Sequence, residues 1–356
     1  MKWYLKLFLR TTVAALCGLV LGAVASAQTI IQLDDPNAGT GAKEGTVALA
    51  INTAGTITGA YIDSSNAGHG FVRSASGVYT TFDAPGAILT GGWGINTAGV
   101  ISGMYIDSSD VFHGFVRTAS GTITTFSVTG ASTSKGQGTL AGGINTAGTI
   151  AGWYNDTNSV HHGFVRAANG TITSYDAPNA GTGANEGTVA GSINASGVIV
   201  GDYWDAQKHY HGFIRAANGT ITDFDYPSAK DTSATCINAA GTIAGWYVDS
   251  SGIQHGYVRT SAGAFTSFDP PSAHQTAGWS INTAGVIAGI YTDTTGTVYG
   301  YERAANGTIT IYSPPATGNF GVLVPGGFEM SVNTAGDIAG YFLDSASVYH
   351  GYLWTP

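Results

Sequence analysis

The amino-acid sequence predicts an all-β protein, a seven-bladed β-propeller with four antiparallel strands per blade. Three observations predict it. The string "IN(T/A)(A/S)G" begins at Ile51, Ile95, Ile144, Ile193, Ile237 and Ile281, with a variant at Val332, in steps of 44, 49, 49, 44, 44 and 51 residues. Composition suits packed strands and turns: of 356 residues, 53 are Gly, 43% are hydrophobic and only 10% are charged. Disorder needs the reverse, low hydrophobicity with high charge. Finally, the ends of the repeat array are complementary. The last copy stops at "HGYLWTP" without a fourth segment, while "TIIQLDDP" near the other end matches "TITSYDAP" at 171–178, a fourth segment standing alone. This predicts a ring closed by an N-terminal strand that completes the last blade, three strands plus one. Four-stranded units of about 45 residues, repeated radially, are the propeller pattern. A linear solenoid would need polar caps at both ends.

Residues 1–27 read as a secretory signal peptide. Lys2, Lys6 and Arg10 form a positive start, an apolar stretch follows from Val13 to Val24, and Ala25-Ser26-Ala27 is a small-residue cleavage site. An uncleaved membrane anchor is the alternative. Cys17 sits in "AALC", which lacks the small residue of a lipoprotein site. Residues 28–356 are expected to form a single propeller domain, secreted or periplasmic and monomeric. No other segment is apolar enough to span a bilayer. Cleavage leaves ten of 13 cations (13 − 3) against 22 acidic residues, a net charge of −12 (10 − 22). Nucleic acid is excluded, because its phosphates would be repelled. Cys236 is then the one remaining cysteine, so no intrachain disulfide is possible.

Each copy holds four short segments, which are labelled here from the axis outwards. The innermost strand ends at "IN". It is preceded by a small residue (Ala50, Gly94, Gly143, Ser192, Cys236, Ser280 or Ser331), as convergence at an axis requires. Cys236 therefore reads as a small buried filler. "NTAG" has the Asn and Gly of a tight turn. The second strand ("IAGWYVD"), the third ("HGFVR") and the outer one ("TITTF") are rich in β-branched and aromatic residues, and "DSSG" and "AANG" turn the chain between them. In the outer strand Ile123 and Phe126 point to opposite faces. Both faces want burial, as neighbouring blades provide.

The third segment is spelled nearly alike in most copies. The second strand ends in an Asp, and a His follows six residues later: Asp63 and His69, Asp107 and His113, Asp156 and His162, Asp205 and His211, Asp249 and His255, Asp344 and His350, with Asp293 and Tyr299 as the variant. Asp and His are metal ligands, yet third strands about 15 Å from an axis would hold neighbouring His residues roughly 13 Å apart. No single metal could join them. The preferred reading is structural, with each carboxylate capping its turn and orienting an imidazole. Arg73, Arg117, Arg166, Arg215, Arg259 and Arg303 close the third strands, with Trp354 in the seventh place. They are expected to cover apolar surface or lie over aromatic rings; an anionic partner is the alternative.

The "INxxG…HGF" units resemble the HAF family of extracellular repeats over essentially all of the chain after residue 27. The centre of the third segment departs from that family, being Gly here rather than Ala. The resemblance implies an extracellular address and a repeat architecture, and no activity.

The Asp–His hairpins and the links from outer to innermost strand should share one end of the molecule. Asp34, Asp83, Asp176, Asp225 and Asp269 fall there too, which predicts an acidic face. Calcium, which prefers oxygen ligands, is the one cofactor entertained, without a recognisable motif. All length variation lies in the links, which span 17, 12, 17, 17, 12, 12 and 19 residues. Loops on a rigid scaffold commonly carry function. The candidate binding face therefore comprises Trp93, Trp279, Glu44, Gln137, Glu186 and His274. The two Trp side chains either pack beneath neighbouring units or stand open beside polar groups, as suits a glycan or envelope-protein partner. The expected function is a binding or structural propeller. The alternative is an extracellular polysaccharide lyase or hydrolase at the channel mouth, for which Glu44 and Glu186 are the candidate carboxylates.

Overall fold

The computed structural model describes residues 28–314, 318–320 and 330–356, with backbone alone for 318–320. The expected signal peptide at 1–27, and much of the link 313–333, lie outside the described residues. Among the described residues every regular element is a β-strand. The fold is that of a β-propeller: four-stranded antiparallel units repeat along the chain.

The fourth copy illustrates the unit. Gly187–Ile193 pairs with Ile199–Trp204, that strand with Tyr210–Arg215, and that one with Ile221–Phe224, each antiparallel. Asn194 shows how the turn near the axis is built. Gly197 N–H donates to Asn194 O at 3.0 Å, and Asn194 Oδ1 accepts the amides of Ser196 and Val198. Gly197 itself has a φ of 78°, the left-handed conformation that such a turn assigns to Gly.

In the seventh copy the innermost strand is in two pieces, Gly318–Phe320 and Met330–Val332, both paired with Ile338–Asp344. The third strand of that copy, Tyr349–Thr355, pairs antiparallel with Thr29–Leu33, in the register Thr29↔Thr355 to Leu33↔Gly351. The segment "TIIQL" thus takes the outer place beside the last copy.

The repeated pentapeptide is explained residue by residue. Its Gly is a seat for the outer strand's aromatic ring: a Cβ on Gly114 would lie 2.5 Å from Phe126, and one on Gly163 would lie 2.5 Å from Tyr175. Its Phe or Tyr is core, and Phe115, Phe164, Phe213, Tyr257, Tyr301 and Tyr352 are fully buried. Its Arg reaches the preceding copy. Arg117 lies over Phe82 at 4.9 Å, Arg166 over Phe126, Arg215 over Tyr175, Arg259 over Phe224 and Arg303 over Phe268. These are cation–π contacts between units.

Hydrogen bonds also join the units near the axis. Asn52 Nδ2 donates to Asn96 O, and the same step repeats through Asn145, Asn194, Asn238 and Asn282 to Asn333. At the opposite end, short parallel bridges join a third strand to the next innermost strand, as at His161↔Gly187 and Gly45↔Tyr349. At Gly187 the bridge requires glycine. Gly187 has a φ of 109°, and a Cβ on it would stand 2.1 Å from His161 O.

Candidate functional site

The innermost strands are not regular. Pairing with the second strand slips between Ala48 and Ala50, Gly92 and Gly94, Ala141 and Ile144, Ala190 and Ser192, Ala234 and Cys236, and Gly278 and Ser280. Each slip is a β-bulge, a device that re-aims a side chain. The bulged residues include Leu49, Trp93, Thr235 and Trp279. Both tryptophans of the sequence reading are therefore bulge residues.

The bulges line a cavity of about 150 Å³ on the axis, with side chains from all seven copies in its wall. Leu49, Trp93, Trp279 and Met330 form one tier, and the small residues, among them Ser192, Cys236 and Ser280, form the next. Six isoleucines, Ile51 to Ile281, form the floor. The same isoleucines, with Val332, line a second cavity of about 230 Å³ beyond, whose wall also holds the seven Asn residues. An apolar collar thus separates two cups.

The first cup is amphiphilic. Trp93 and Trp279 are half-buried. Among the described residues no group accepts the indole N–H of Trp279, although that nitrogen is buried. Buried donors are normally satisfied, so this one stands out. Burial pushes the Cys236 thiol up to about 12, and it stays a neutral filler in this wall.

The other sequence candidates lie elsewhere. Glu44 Oε2 accepts the amide of Gly41 at 2.7 Å, and Glu186 Oε2 accepts that of Gly183 at 2.8 Å. Gln137 Nε2 donates to Ser159 Oγ. Each glutamate ties down its own link, and Gln137 ties its link to the hairpin turn of the third copy. The main-chain carbonyls of all three perform one shared task, accepting an amide from the third strand before them: Tyr349, Phe112 and His161. His274 is exposed on Ala273–Ile281.

The Asp–His pairs are present with a partner that sequence reading did not assign. Asp249 Oδ1 accepts the amides of Ser251 and Ile253, and Oδ2 stands 3.5 Å from His255 Nε2. The opposite nitrogen, Nδ1, lies 2.7 Å from Asp269. The same double clasp holds His69 with Asp83, His162 with Asp176, His211 with Asp225 and His350 with Asp34. In the second copy His113 takes Asp107 and the Ser127 hydroxyl. A carboxylate only accepts, so Nδ1 carries a proton wherever an Asp faces it. The imidazole also stacks on the second strand's aromatic ring, as on Tyr203 at 5.0 Å. The 14-residue spacing from His to the outer Asp was visible in the sequence; that it spans one antiparallel pair is what gives it meaning. Among the described residues no three His, Cys, Asp or Glu side chains converge as a metal site would require.

No protein-family model matches the chain, and no curated protein sequence does. Solved structures do match. The BP39L lectin from Burkholderia pseudomallei is similar over 87% of this chain and 96% of that one, at 9% identity and a TM-score of 0.52. A puromycin hydrolase is similar over 90% of this chain and 50% of that one, at 12% identity and a TM-score of 0.54. The β-propeller domain of the trilobed protease from Pyrococcus furiosus covers 87% and 96%, at 8% identity and a TM-score of 0.49. At such identities likeness speaks for the fold alone. A lectin and a hydrolase on one scaffold leave function to the site.

Proposed function

We propose that the protein is a secreted or periplasmic binding propeller of seven blades, closed by its N-terminal strand, that holds a saccharide end in the tryptophan-walled cup. The leader-like pattern at 1–27 and the HAF-like repeats support the address. The pairing of Thr29–Leu33 with the last copy, and the shared lining of the cup, support the closed seven-fold reading. Among the described residues no helix is long and apolar enough to cross a membrane.

One observation carries the reading. Two β-bulges turn Trp93 and Trp279 to the wall of an axial cavity, and one indole N–H there has no acceptor among the described residues. Aromatic faces beside a few hydroxyl groups match a sugar ring, which has an apolar face and a polar rim. Catalysis would need free carboxylates, whereas Glu44 and Glu186 are each engaged by their own link, which favours binding.

A glycan array with the purified protein tests this. The expected result is a small set of related glycans bound through a terminal residue. Trp279→Ala should weaken that binding by about tenfold or more, roughly 1.4 kcal/mol. Trp279→Phe should show an intermediate loss, since it keeps a ring and removes the donor. An array blank for the parent protein, or unchanged by both substitutions, sinks the proposal.

A further inference from the structure

The copies are near-identical in their cores, but one junction differs from the others in chemistry. The residue between the Gly and the Tyr or Phe of the second strand is uncharged in every copy but the fourth. It is Ala60, Met104 and Ile290 in the first, second and sixth copies, and Asp202 in the fourth. Asp202 lies deep between the fourth and fifth copies, and part of its surface still meets solvent. Its carboxylate accepts the Ser233 hydroxyl of the fifth copy. Among the described residues no Lys, Arg or His forms an ion pair with it. A deep carboxylate without a cation is unusual, because desolvation of an isolated charge is costly.

A row of aromatic rings lies near this charge, with Tyr210 close enough to feel it. Trp204, two residues along the strand, shares the face of Asp202. Tyr210 stands opposite Trp204, with ring centres 4.6 Å apart, and Trp246 of the fifth copy meets Tyr210 at 5.4 Å. His161 continues the row, 5.2 Å from Trp204. Burial, then the neighbouring His162, pushes His161 down to about 4, so at neutral pH it extends the aromatic wall and adds no positive charge. All of these rings are half-buried, so each keeps some open surface.

The backbone is open here, as it also is, among the described residues, between the sixth and seventh copies. At the junction between the third and fourth copies a parallel bridge joins the units, His161↔Gly187. At this one the sheets separate. The Asp231 side chain takes the bridging place, accepting the Tyr210 amide at 3.1 Å and pairing with His209 Nδ1 at 3.1 Å. A second carboxylate therefore stands behind Tyr210, and His209 Nδ1 is its side-chain partner.

We propose that the junction of the fourth and fifth copies is a second binding site, for a compact organic cation such as an amine or quaternary ammonium group, with Asp202 as counter-ion and Trp204, Tyr210 and Trp246 as the aromatic wall. Electron-rich ring faces attract a cation more strongly when it is desolvated, and a buried carboxylate supplies the charge that a neutral ligand would leave uncompensated. The site is independent of the axial cup, whose wall contains none of these residues.

The test titrates the purified protein with choline chloride and with 3,3-dimethylbutan-1-ol, its uncharged isostere, at matched ionic strength, and follows tryptophan fluorescence. The expected result is a saturable response to choline, with the alcohol at least about tenfold weaker. Asp202→Asn keeps the size and the hydrogen bond to Ser233 but removes the charge. It should weaken choline by about tenfold or more, with thermal melting unchanged or raised, which separates lost binding from lost fold. Trp93→Ala, in the axial cup, should leave the choline response in place. Equal responses to the two ligands, an unchanged affinity in Asp202→Asn, loss of the response in Trp93→Ala, or no saturable response by about 10 mM choline would each overturn the assignment.

Discussion

Single side chains in this protein act in repeated roles, and their ionisation shows it. The Asp63 carboxyl is held down to about 2, first by the Ser65 hydroxyl and then by the Ala67 amide. Asp107, Asp156, Asp205, Asp249, Asp293 and Asp344 are likewise lowered. A carboxyl depressed on folding stabilises fully above its unfolded value, near 4, and loses that contribution as pH falls through the folded one. Because the role recurs in every copy, melting temperature should fall steeply between about pH 4 and pH 2. A melting curve flat across that range would contradict the capping role. Asp202 has the opposite sign, since burial pushes it up to about 6. The folded state is penalised increasingly as pH rises from about 4 to 6, so Asp202→Asn should raise melting at pH 7 and change it little at pH 4. His211 adds a third case. Burial lowers it, but Asp225 and then Asp205 outweigh burial and leave it raised. Its contribution is present below about 6.5 and is lost as pH rises through the folded value, which an NMR titration of its ring would follow.

Strands depend on where glycine stands and where regular pairing fails. Gly187 combines a φ of 109° with a carbonyl 2.1 Å from any Cβ. Gly187→Ala should lower stability by about 2–4 kcal/mol in urea unfolding, since both backbone strain and a main-chain clash arise. A loss below about 1 kcal/mol would mean that the bridge to His161 gives way easily. The bulges are the other irregularity. They turn one residue of the innermost strand from the sheet to the axis, and in the second and sixth copies that residue is Trp. The Arg contacts belong to this level too. A double-mutant cycle on Arg117 and Phe82 should give a coupling of about 0.5–2 kcal/mol.

Across the molecule the inter-unit contacts are uneven. The Asn chain runs in six steps from Asn52 to Asn333, where Asn333 Nδ2 turns instead to Asp337 Oδ2 at 2.9 Å. The Arg contacts change at the same junction. The outer strand beside the last copy carries Leu33 where other copies have an aromatic ring, and Arg73 lies over Tyr79 of its own copy at 5.8 Å. Both repeated clamps are thus altered between the last copy and the first, beside the strand pair Thr29–Leu33 and Tyr349–Thr355. Amides of Thr29–Leu33 should therefore exchange earliest among the strands in native-state hydrogen exchange. Leu33→Tyr should place a ring over Gly351, as Tyr175 sits over Gly163, and slow that exchange. Protection equal to that of the central strands would show that the ends are held as firmly as the rest.

Repeat period, turn residues and complementary ends were legible in the primary structure, because each reflects a local rule: alternation in strands, left-handed turn positions, and a segment count one strand short at one end and one over at the other. The six-residue Asp–His spacing was legible for the same reason, as it spans one hairpin. Three features needed the folded molecule. The second Asp on His69, His162, His211 and His255 comes from beyond the neighbouring outer strand, and that on His350 is Asp34, from the far end of the chain. The aim of Trp93 and Trp279 depends on bulges, which a pattern of side chains does not mark. The charge of Asp202 acquires its surroundings from Ser233 and Trp246 of the next copy. Sequence encodes what neighbours along the chain require of one another; contacts between units depend on how strands stack, and only the assembled fold sets that.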